Sequence, residues 1–298
     1  MTVVQGAGPL VAAVDWGGTW LRAAAVRDGA LLDVVREPRP SGFDEQGALV
    51  VEMVRRLGGP VRALGVGIAG VVRGGRVESA SNLGLAAPCD LAGRLGAASG
   101  IPVVVVNDTQ AAAVAEAATL GPGTAVLLTV GTGIGGAVVC DGRLVAGEGA
   151  AGDFGHMTMD AGGPACVCGG RGCLEQLVSG RVLDAVAAGL GLRHAGDLDE
   201  AARAGSGSGA GSEAARRALE EAAAMLAAGL RSVTAAADPR VIVVGGGLMV
   251  PGRLLPRLVL ERWPAVRPPW SAAEVRLSRF GGDGGLYGAA LLAVQLAL

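Results

Sequence analysis

The fold is decided by residues 10–36, which read LVAAVDWGGTWLRAAAVRDGALLDVVR. An apolar run ends at Asp15, a Gly-Gly-Thr loop follows, and a second strand-like run leads to the dipeptide Asp28-Gly29 before a third run. An Asp-Gly dipeptide between such runs is a strong hairpin signal. The segment therefore predicts three strands joined by a glycine loop and a tight turn, rather than a strand that runs through a loop into a helix.

The same order of features returns in the middle of the chain. Residues 124–146 read TAVLLTVGTGIGGAVVCDGRLVA, with a glycine loop at 131–136 and a second Asp-Gly turn at 141–142. We interpret the two segments as a weak internal repeat. Apolar periodicity elsewhere predicts helices at 47–57, 90–99, 109–119, 213–237 and 286–298, and strands at 61–68, 101–106 and 241–244. A Gly/Ser stretch at 205–212 is typical of a loop between helices.

Both glycine loops suit a polyphosphate ligand. Backbone amides of such turns form concavities that bind anions, and Mg²⁺ prefers a carboxylate such as that of Asp15. Glycines that only permit tight hairpins are the alternative, but matching positions in a repeated unit favour phosphate binding. Residues 65–70 also match the dinucleotide pattern GxGxxG, with Asp90 following. A strand and turn continue there instead of the helix that would bind a pyrophosphate, so we interpret these glycines as sheet packing.

Three cysteines crowd into eight residues, Cys166, Cys168 and Cys173, and His156 lies ten positions before the first. Three thiolates and one imidazole complete a tetrahedral zinc site without an open position, which predicts a structural zinc ion. The metal would offset the ordering entropy of the glycine-rich segment 152–175. Buried thiols beside a chance histidine are the alternative.

Asn107 and Asp108 stand where a predicted buried strand ends and a helix begins, which is where α/β sheets place ligands. Considered alone, Asp108 is as well suited to cap that helix as to bind a ligand, and Thr109 is also a candidate for the cap. Further amide and carboxylate side chains occur in Asn82 and, around the cysteine segment, in Asp153 and Glu175. Such a set suits a polyhydroxylated ligand.

Composition excludes several classes of protein. The 298 residues include no Lys, so all 25 basic residues are Arg. Walker A loops, Schiff-base enzymes and protein kinases each need a lysine. A net charge of −2 without a basic tract predicts no nucleic-acid partner. Interrupted apolar runs predict no membrane span, and the first residues lack the basic region of a signal peptide. Clustered thiols add the expectation of a reducing, cytoplasmic location.

Together these motifs resemble the ROK family (repressors, open reading frames, kinases) of bacterial sugar kinases, and most closely its glucokinases. Cys166–Glu175 fits the family signature CxCGxxGCxE at every fixed position. The other similar stretches are the two phosphate motifs at Asp15–Thr19 and Gly131–Gly136, the catalytic Asn107-Asp108, the GEIGH-like Gly152–His156 and the adenosine-side Gly245–Gly247.

The resemblance implies an actin-like, ribonuclease-H-like α/β fold of two domains with a cleft between them. We expect residues 1–108 with 286–298 in one domain, and 109–285, with the zinc loop, in the other. It implies phosphorylation of a hexose at the 6-hydroxyl by ATP with Mg²⁺, glucose being the first expectation and Asp108 the general base. The implied sugar contacts are Asn82, Asn107, Asp108, Asp153, His156 and Glu175. The implied nucleotide contacts are Asp15, Gly17, Gly18, Thr19, Gly131, Thr132, Gly133, Gly245, Gly246 and Gly247. The implied zinc ligands are His156, Cys166, Cys168 and Cys173.

Several alternatives stay open. Asp153 stands where the family usually has Glu, which retracts the carboxylate by about 1.5 Å and bears on which sugar fits. N-acetylmannosamine, N-acetylglucosamine, fructose, mannose and allose are therefore alternative substrates, and polyphosphate is an alternative donor. A sugar-binding protein without turnover is a further alternative. Family repressors carry a DNA-binding segment in front, and about ten residues precede the first predicted strand here. Relatives often assemble, so we expect a homo-oligomer, either a dimer or a tetramer.

Overall fold

The structure is a computed structural model, and it describes residues 8–204 and 210–298. Its strands, in chain order, are β1 (Val11–Trp16), β2 (Trp20–Arg27), β3 (Ala30–Pro38), β4 (Leu64–Ile68), β5 (Val71–Arg73), β6 (Arg76–Ser79), β7 (Cys89–Asp90), β8 (Val103–Asn107), β9 (Thr124–Val130), β10 (Ile134–Cys140), β11 (Arg143–Val145), β12 (Val241–Gly245) and β13 (Glu274–Leu277). Its α-helices are α1 (Phe43–Arg56), α2 (Leu91–Ser99), α3 (Asp108–Ala118), α4 (Leu174–Leu177), α5 (Gly180–Gly189), α6 (Ala195–Arg203), α7 (Ala210–Ala237), α8 (Leu254–Val266) and α9 (Gly284–Ala297). Most of the predicted Gly/Ser loop at 205–212 lies outside the described residues.

These elements form two units. Unit 1 consists of the chain up to Thr119 together with Ala146–Ala151 and Asp283–Leu298. Unit 2 consists of Leu120–Val145 and Gly152–Gly282. Each unit is built on its own five-stranded sheet, and unit 1 also carries a small sheet of β5, β6 and β7.

The two large sheets have the same topology. Their strand orders are β3-β2-β1-β4-β8 in unit 1 and β11-β10-β9-β12-β13 in unit 2. In each, the first strand of the unit pairs antiparallel with the second and parallel with a later strand, which is itself parallel to the last. The internal repeat predicted from the two hairpin segments is therefore confirmed as a repeated sheet.

The sheet of unit 1 is covered on both faces, which explains the continuous apolar run in β1. One core cluster joins this sheet to α1 and α2, and a second joins it to α9. Strands buried on both faces lose the alternation of polar and apolar residues. In unit 2 one large cluster joins β9, β10 and β12 to α5, α6, α7 and α8.

Glycine allows α9 to approach its neighbours closely. A Cβ on Gly65 in β4 would lie 1.9 Å from the carbonyl oxygen of Ala289, and one on Gly288 would lie 1.6 Å from that of Ala111. Gly65 belongs to the GxGxxG-like stretch, and the chain after β4 continues as the strand β5 rather than as a helix. The interpretation of these glycines as sheet packing is confirmed.

The division by packing differs from the predicted domain limits at α3. The sequence-based limit after residue 108 would assign α3 to the second domain. In the structure α3 packs on α9 and β4, so it lies in unit 1, which extends to Thr119. Residues 146–151 also belong to unit 1, where the carbonyl oxygen of Gly149 accepts a hydrogen bond from Gln110.

Among the described residues, no helix combines the length and the hydrophobicity needed to cross a membrane.

Candidate active site and metal centre

The first glycine turn connects β1 to β2 in unit 1. The amide of Gly17 donates to the carbonyl oxygen of Trp20 at 3.1 Å, while Gly18 and Thr19 are exposed. Arg39 holds the turn from outside, because its Nε donates to the carbonyl oxygen of Gly18 at 2.6 Å. The turn therefore presents a short exposed backbone segment beside a guanidinium group.

Asp15, at the end of β1, forms an ion pair with Arg22. Nε and Nη2 of Arg22 lie 3.1 and 2.6 Å from Oδ2 of Asp15, and Nη1 lies 2.7 Å from Asp283. Burial raises the pKa of Asp15, and the charge and hydrogen bonds of Arg22 oppose that rise. The carboxylate is thus held in one orientation by a cation that is itself fixed by the residue before α9.

Asp108 is the first residue of α3 and follows directly on β8. Its Oδ1 accepts a hydrogen bond from the amide of Thr109 at 2.7 Å. Burial and then the negative charge of Asp15 raise the pKa of Asp108, and the hydrogen bonds of Thr109 only partly offset this. A carboxylate with a raised pKa at a sheet end is suited to accept a proton.

Asn107, rather than Asp108 or Thr109, caps α3. Its Oδ1 accepts hydrogen bonds from the amides of Thr109 and Gln110, and Gln110 returns a contact to the amide of Asn107, which completes a capping box. The predicted cap, Asp108 or Thr109, is thereby corrected to Asn107. Because Nδ2 of Asn107 donates to Gly70, this side chain is committed to the local fold, and its contact with a sugar stays a prediction.

The second glycine turn, residues 131–133, connects β9 to β10 in unit 2. β12 runs parallel beside β9, so the carboxyl ends of both strands lie at the same edge of the sheet. Gly246 has a φ of +93°, and a Cβ there would lie 2.5 Å from the carbonyl oxygen of Val130. The structure therefore brings Gly245–Gly247 beside the second turn, and their contact with a nucleotide stays a prediction.

Asp153 precedes a short 3₁₀ turn (Phe154–His156) that packs against β10, and His156 ends that turn. A Cβ on Gly155 would lie 2.0 Å from the carbonyl oxygen of Ile134, which explains the small residue there. Nε2 of His156 lies 3.9 Å from Oδ2 of Asp153. Burial raises the pKa of Asp153, the charge of His156 lowers it, and that of Glu175 raises it.

The four predicted zinc ligands converge. The ligand atoms of His156, Cys166, Cys168 and Cys173 all lie within 4.8 Å of one another. Nδ1 of His156 is 3.4 Å from Sγ of Cys166, and the sulfur atoms of Cys168 and Cys173 are 3.6 Å apart. Tetrahedral zinc bond lengths place two sulfurs about 3.8 Å apart and a nitrogen and a sulfur about 3.6 Å apart. The donor set and its spacing fit zinc.

Two thiols of this cluster, Cys166 and Cys173, differ in pKa. Burial raises the pKa of Cys166, but hydrogen bonds from Cys168, Cys173 and His156 outweigh it and lower that pKa to about 7. Burial and the neighbouring thiols raise the pKa of Cys173 to about 12. A coordinated divalent cation deprotonates its thiol ligands outright, so the cluster needs a metal to ionise fully.

Glu175 lies on α4, two residues after Cys173. Its Oε2 accepts a hydrogen bond from the amide of Ile134 at 2.9 Å, and its Oε1 lies 2.5 Å from Nη2 of Arg181. The carboxylate is 12% exposed. It therefore contacts the second glycine turn, as well as lying close enough to Asp153 to raise the pKa of that carboxyl.

The predicted residues fall into two local groups. Unit 1 contains Asp15, the first glycine turn, Asn107 and Asp108, whereas Asn82 lies exposed on a 3₁₀ turn (Ser81–Leu83). The second glycine turn, Gly245–Gly247, Asp153, Glu175 and the metal cluster all belong to unit 2.

Three arginines beside the glycine turns were not predicted from the sequence. Arg22 and Arg39 belong to the first turn and Arg181 to the second. The absence of lysine could have indicated them, because a cationic lysine or arginine side chain at a phosphate site of this chain must be an arginine.

Known proteins share the sequence pattern and the fold of this chain. The sequence model of the ROK family matches residues 11–296. An N-acetylmannosamine kinase of Citrobacter koseri is 37% identical over 292 residues, which cover 94% of this chain and 97% of that protein. The fold is similar to that of a ROK hexokinase from Thermus thermophilus, with a TM-score of 0.83 and 35% identity over 96% of this chain and 98% of that one. A ROK glucokinase from Streptomyces griseus, solved with glucose and AMPPNP, has a TM-score of 0.78 and 31% identity over 96% of this chain and 99% of that one.

Proposed function

The chain belongs to the ROK family, and on that basis we propose that this sugar kinase transfers the γ-phosphoryl group of ATP to the 6-hydroxyl of a hexose. The observation that carries the proposal is Asp108, a carboxylate with a raised pKa at the junction of β8 and α3. The fold is the actin-like α/β fold of its structural relatives.

Asp108 acts as the general base. Its carboxylate accepts the proton of the 6-hydroxyl while the hydroxyl oxygen bonds to the γ-phosphorus and the bond from that phosphorus to the β,γ-bridging oxygen breaks, which releases ADP. A positioned base of this kind contributes about 10²–10⁴-fold to the rate. The hydrogen bond from Thr109 fixes Oδ1, so the carboxylate has one defined orientation.

The two glycine turns and Gly245–Gly247 are assigned to the nucleotide. Backbone amides and the hydroxyls of Thr19 and Thr132 would contact its phosphates, and Asp15 would hold Mg²⁺ through its Oδ1 side because both bonds from Arg22 fall on Oδ2. When bound, Mg²⁺ neutralises phosphate charge. Positioning and charge neutralisation supply most of the catalysis in phosphoryl transfer.

The hydroxyl groups of the sugar are assigned to Asn82, Asn107, Asp153, His156 and Glu175. His156 can serve the metal and the sugar together, because its Nδ1 faces the thiols while its Nε2 faces Asp153. Structural zinc would fix the imidazole ring and therefore the orientation of Nε2.

Glucose and N-acetylmannosamine are the two leading substrates. Glucose follows from the glucokinase-like motifs and from the Streptomyces griseus relative, whose structure contains glucose. N-acetylmannosamine follows from the 37% identity with the Citrobacter koseri kinase of that name. Asp153, one methylene shorter than the glutamate usual in the family, withdraws a carboxylate by about 1.5 Å and bears on this choice.

A coupled ADP-release assay tests the proposal. Purified protein is given Mg-ATP with glucose, mannose, fructose, allose, N-acetylglucosamine or N-acetylmannosamine, and kcat/KM is compared across the panel. Turnover with one or more of these sugars, with the phosphate found on O6 by ³¹P NMR, is the expected result. The absence of turnover with any of these sugars would exclude the proposed hexose kinase activity. Activity only with polyphosphate would mean that polyphosphate, rather than ATP, is the phosphoryl donor.

The location and assembly of the protein complete the proposal. Free cysteines in a metal-binding arrangement fit a reducing compartment, so we place the protein in the cytoplasm. We also propose a homo-oligomer, either a dimer or a tetramer, which light scattering after size-exclusion chromatography tests.

A further inference from the structure

The segment that follows the metal cluster returns to the second glycine turn. Cys173, a predicted metal ligand, directly precedes α4, and Glu175 in α4 accepts the hydrogen bond from the amide of Ile134 at 2.9 Å. A Cβ on Gly133 would lie 2.2 Å from the same carboxylate oxygen. The side chain of Glu175 therefore packs directly under the turn and bonds to the residue that ends it.

A second contact comes from the start of α5. The amide of Gly180 donates to the carbonyl oxygen of Gly131 at 2.7 Å, and that of Arg181 donates to Thr132 at 3.3 Å. A Cβ on Gly180 would lie 2.6 Å from the carbonyl oxygen of Gly131. The segment from Glu175 to Arg181 thus bonds to three of the four residues from Gly131 to Ile134.

The cluster fixes the other end of this segment. Cys173 forms a β-bridge with Thr158, and the amide of Leu174 donates to the carbonyl oxygen of Met157 at 2.9 Å. Arg181 lies 2.5 Å from Oε1 of Glu175 and so orients the carboxylate that holds Ile134. A metal that binds Cys173 therefore constrains a residue only two positions away from the contact with the turn.

We propose that Glu175 is a positioning residue for the second phosphate turn, and that metal binding at the Cys/His cluster raises nucleotide affinity through it. The proposal rests on the assignment of residues 131–133 to the phosphates. A turn held in its binding conformation loses less conformational entropy when the ligand binds. The glutamate thus serves the nucleotide in addition to any contact with the sugar.

The test measures nucleotide and sugar affinities separately in the full-length protein. Isothermal titration calorimetry gives the Kd of AMPPNP with Mg²⁺, and a second titration gives the Kd of the hexose. Glu175→Ala removes a charged acceptor from a backbone amide and should raise the Kd of AMPPNP about tenfold or more. Glu175→Gln keeps an oxygen for Ile134 and should stay within about threefold of the unsubstituted protein.

Asp197 supplies a matched control. Its carboxylate is 13% exposed and accepts hydrogen bonds from the amide and Nε of Arg193, so it combines a backbone amide with an arginine as Glu175 does. It belongs to α6, and its side chain pairs with Arg193 and His194. Asp197→Ala should leave the Kd of AMPPNP unchanged.

Metal removal completes the cycle. Zinc is extracted with a chelator that is then exchanged away before Mg²⁺ and AMPPNP are added. Extraction should weaken AMPPNP binding by the unsubstituted protein and have little further effect on Glu175→Ala, because both changes break the same connection. Hydrogen exchange of the Ile134 amide needs no substitution and no nucleotide, and it should accelerate at least about tenfold on extraction.

Three results would overturn the proposal. In the first, Glu175→Ala raises the Kd of the hexose but leaves the Kd of AMPPNP unchanged. In the second, the effects of Glu175→Ala and of zinc extraction on AMPPNP binding are additive. In the third, the exchange rate of the Ile134 amide is the same with and without zinc. A failure of the proposed function looks different, because the unsubstituted protein would then show no sugar-dependent ADP release. The exchange measurement still tests the connection in that case.

Discussion

Asp108 determines the expected pH dependence at the scale of single residues. Burial and the charge of Asp15 raise its pKa above 3.8, the ordinary value for an aspartate. A general base works only when ionised, so kcat/KM for the sugar should fall as the pH decreases through this raised pKa. A pH profile at saturating Mg-ATP should therefore show its acidic limb above the ordinary aspartate value.

As a control, the concentrations of the buffer and of the coupling enzymes are each doubled at the lowest pH used, and the measured rate should not change. A profile that stays flat down to the ordinary aspartate pKa would remove Asp108 from the role of base. Asp15 also has a raised pKa, and the charge and hydrogen bonds of Arg22 oppose that rise.

Two features of single residues, the cap of α3 and the partner of Arg22, could not be predicted from the sequence. The sequence predicts a helix from Thr109 with Asp108 or Thr109 as its cap, whereas α3 begins at Asp108 and its cap is Asn107, since a capping box depends on the side chain of Gln110 folding back. Arg22 could not be connected to Asp283 beforehand, because 261 positions separate them in the chain.

At the scale of secondary-structure elements, the contact between α9 and α3 supports a stability prediction. A Cβ on Gly288 would lie 1.6 Å from the carbonyl oxygen of Ala111. Gly288→Ala must therefore move one helix and should lower the free energy of unfolding by about 1–3 kcal/mol or more. Urea unfolding followed by circular dichroism measures the change.

Gly189 in α5 is the control, because a Cβ there has no neighbour within 4 Å. Gly189→Ala should be neutral or stabilising, by up to about 1 kcal/mol. A Gly288→Ala variant that is as stable as Gly189→Ala would mean that the close approach of α9 to α3 does not limit the size of the residue at position 288.

Strands were easier to predict than the helices of unit 2. The sequence predicts strands at Trp20–Arg27 and Thr124–Val130, and β2 and β9 have these limits because an apolar run beside a glycine loop or turn fixes where each strand begins and ends. α5, α6 and α8 were missed. α8 contains Pro256 in its first turn, where proline is tolerated, and Pro264 inside the helix, which argues against a helical prediction because proline lacks an amide donor.

At the scale of the whole molecule, the metal cluster should support the fold of unit 2. Elemental analysis should find about one zinc ion per chain. Cys168→Ser should lose zinc and lower the Tm by several degrees, because the ordering entropy of the surrounding glycine-rich segment would no longer be offset. Cys140 is an exposed thiol outside the cluster, so Cys140→Ser should keep both the zinc and the Tm.

Zinc-free protein with an unchanged Tm would contradict a structural role for the metal. The four ligands could be predicted because a short spacing leaves the chain few ways to arrange them. The contacts of Glu175 could not, because they join residues 41 positions apart.

The central claim is that Asp108 is the base of a sugar kinase, and the most direct measurement compares Asp108→Asn with Asp90→Asn. Asp90 is also a carboxylate at a helix start in unit 1, where it accepts a hydrogen bond from the amide of Gly93. We predict that Asp108→Asn lowers kcat by about 10²–10⁴-fold with the Kd of the sugar kept within about tenfold, while Asp90→Asn keeps the rate of the unsubstituted protein. A fully active Asp108→Asn variant would contradict the account.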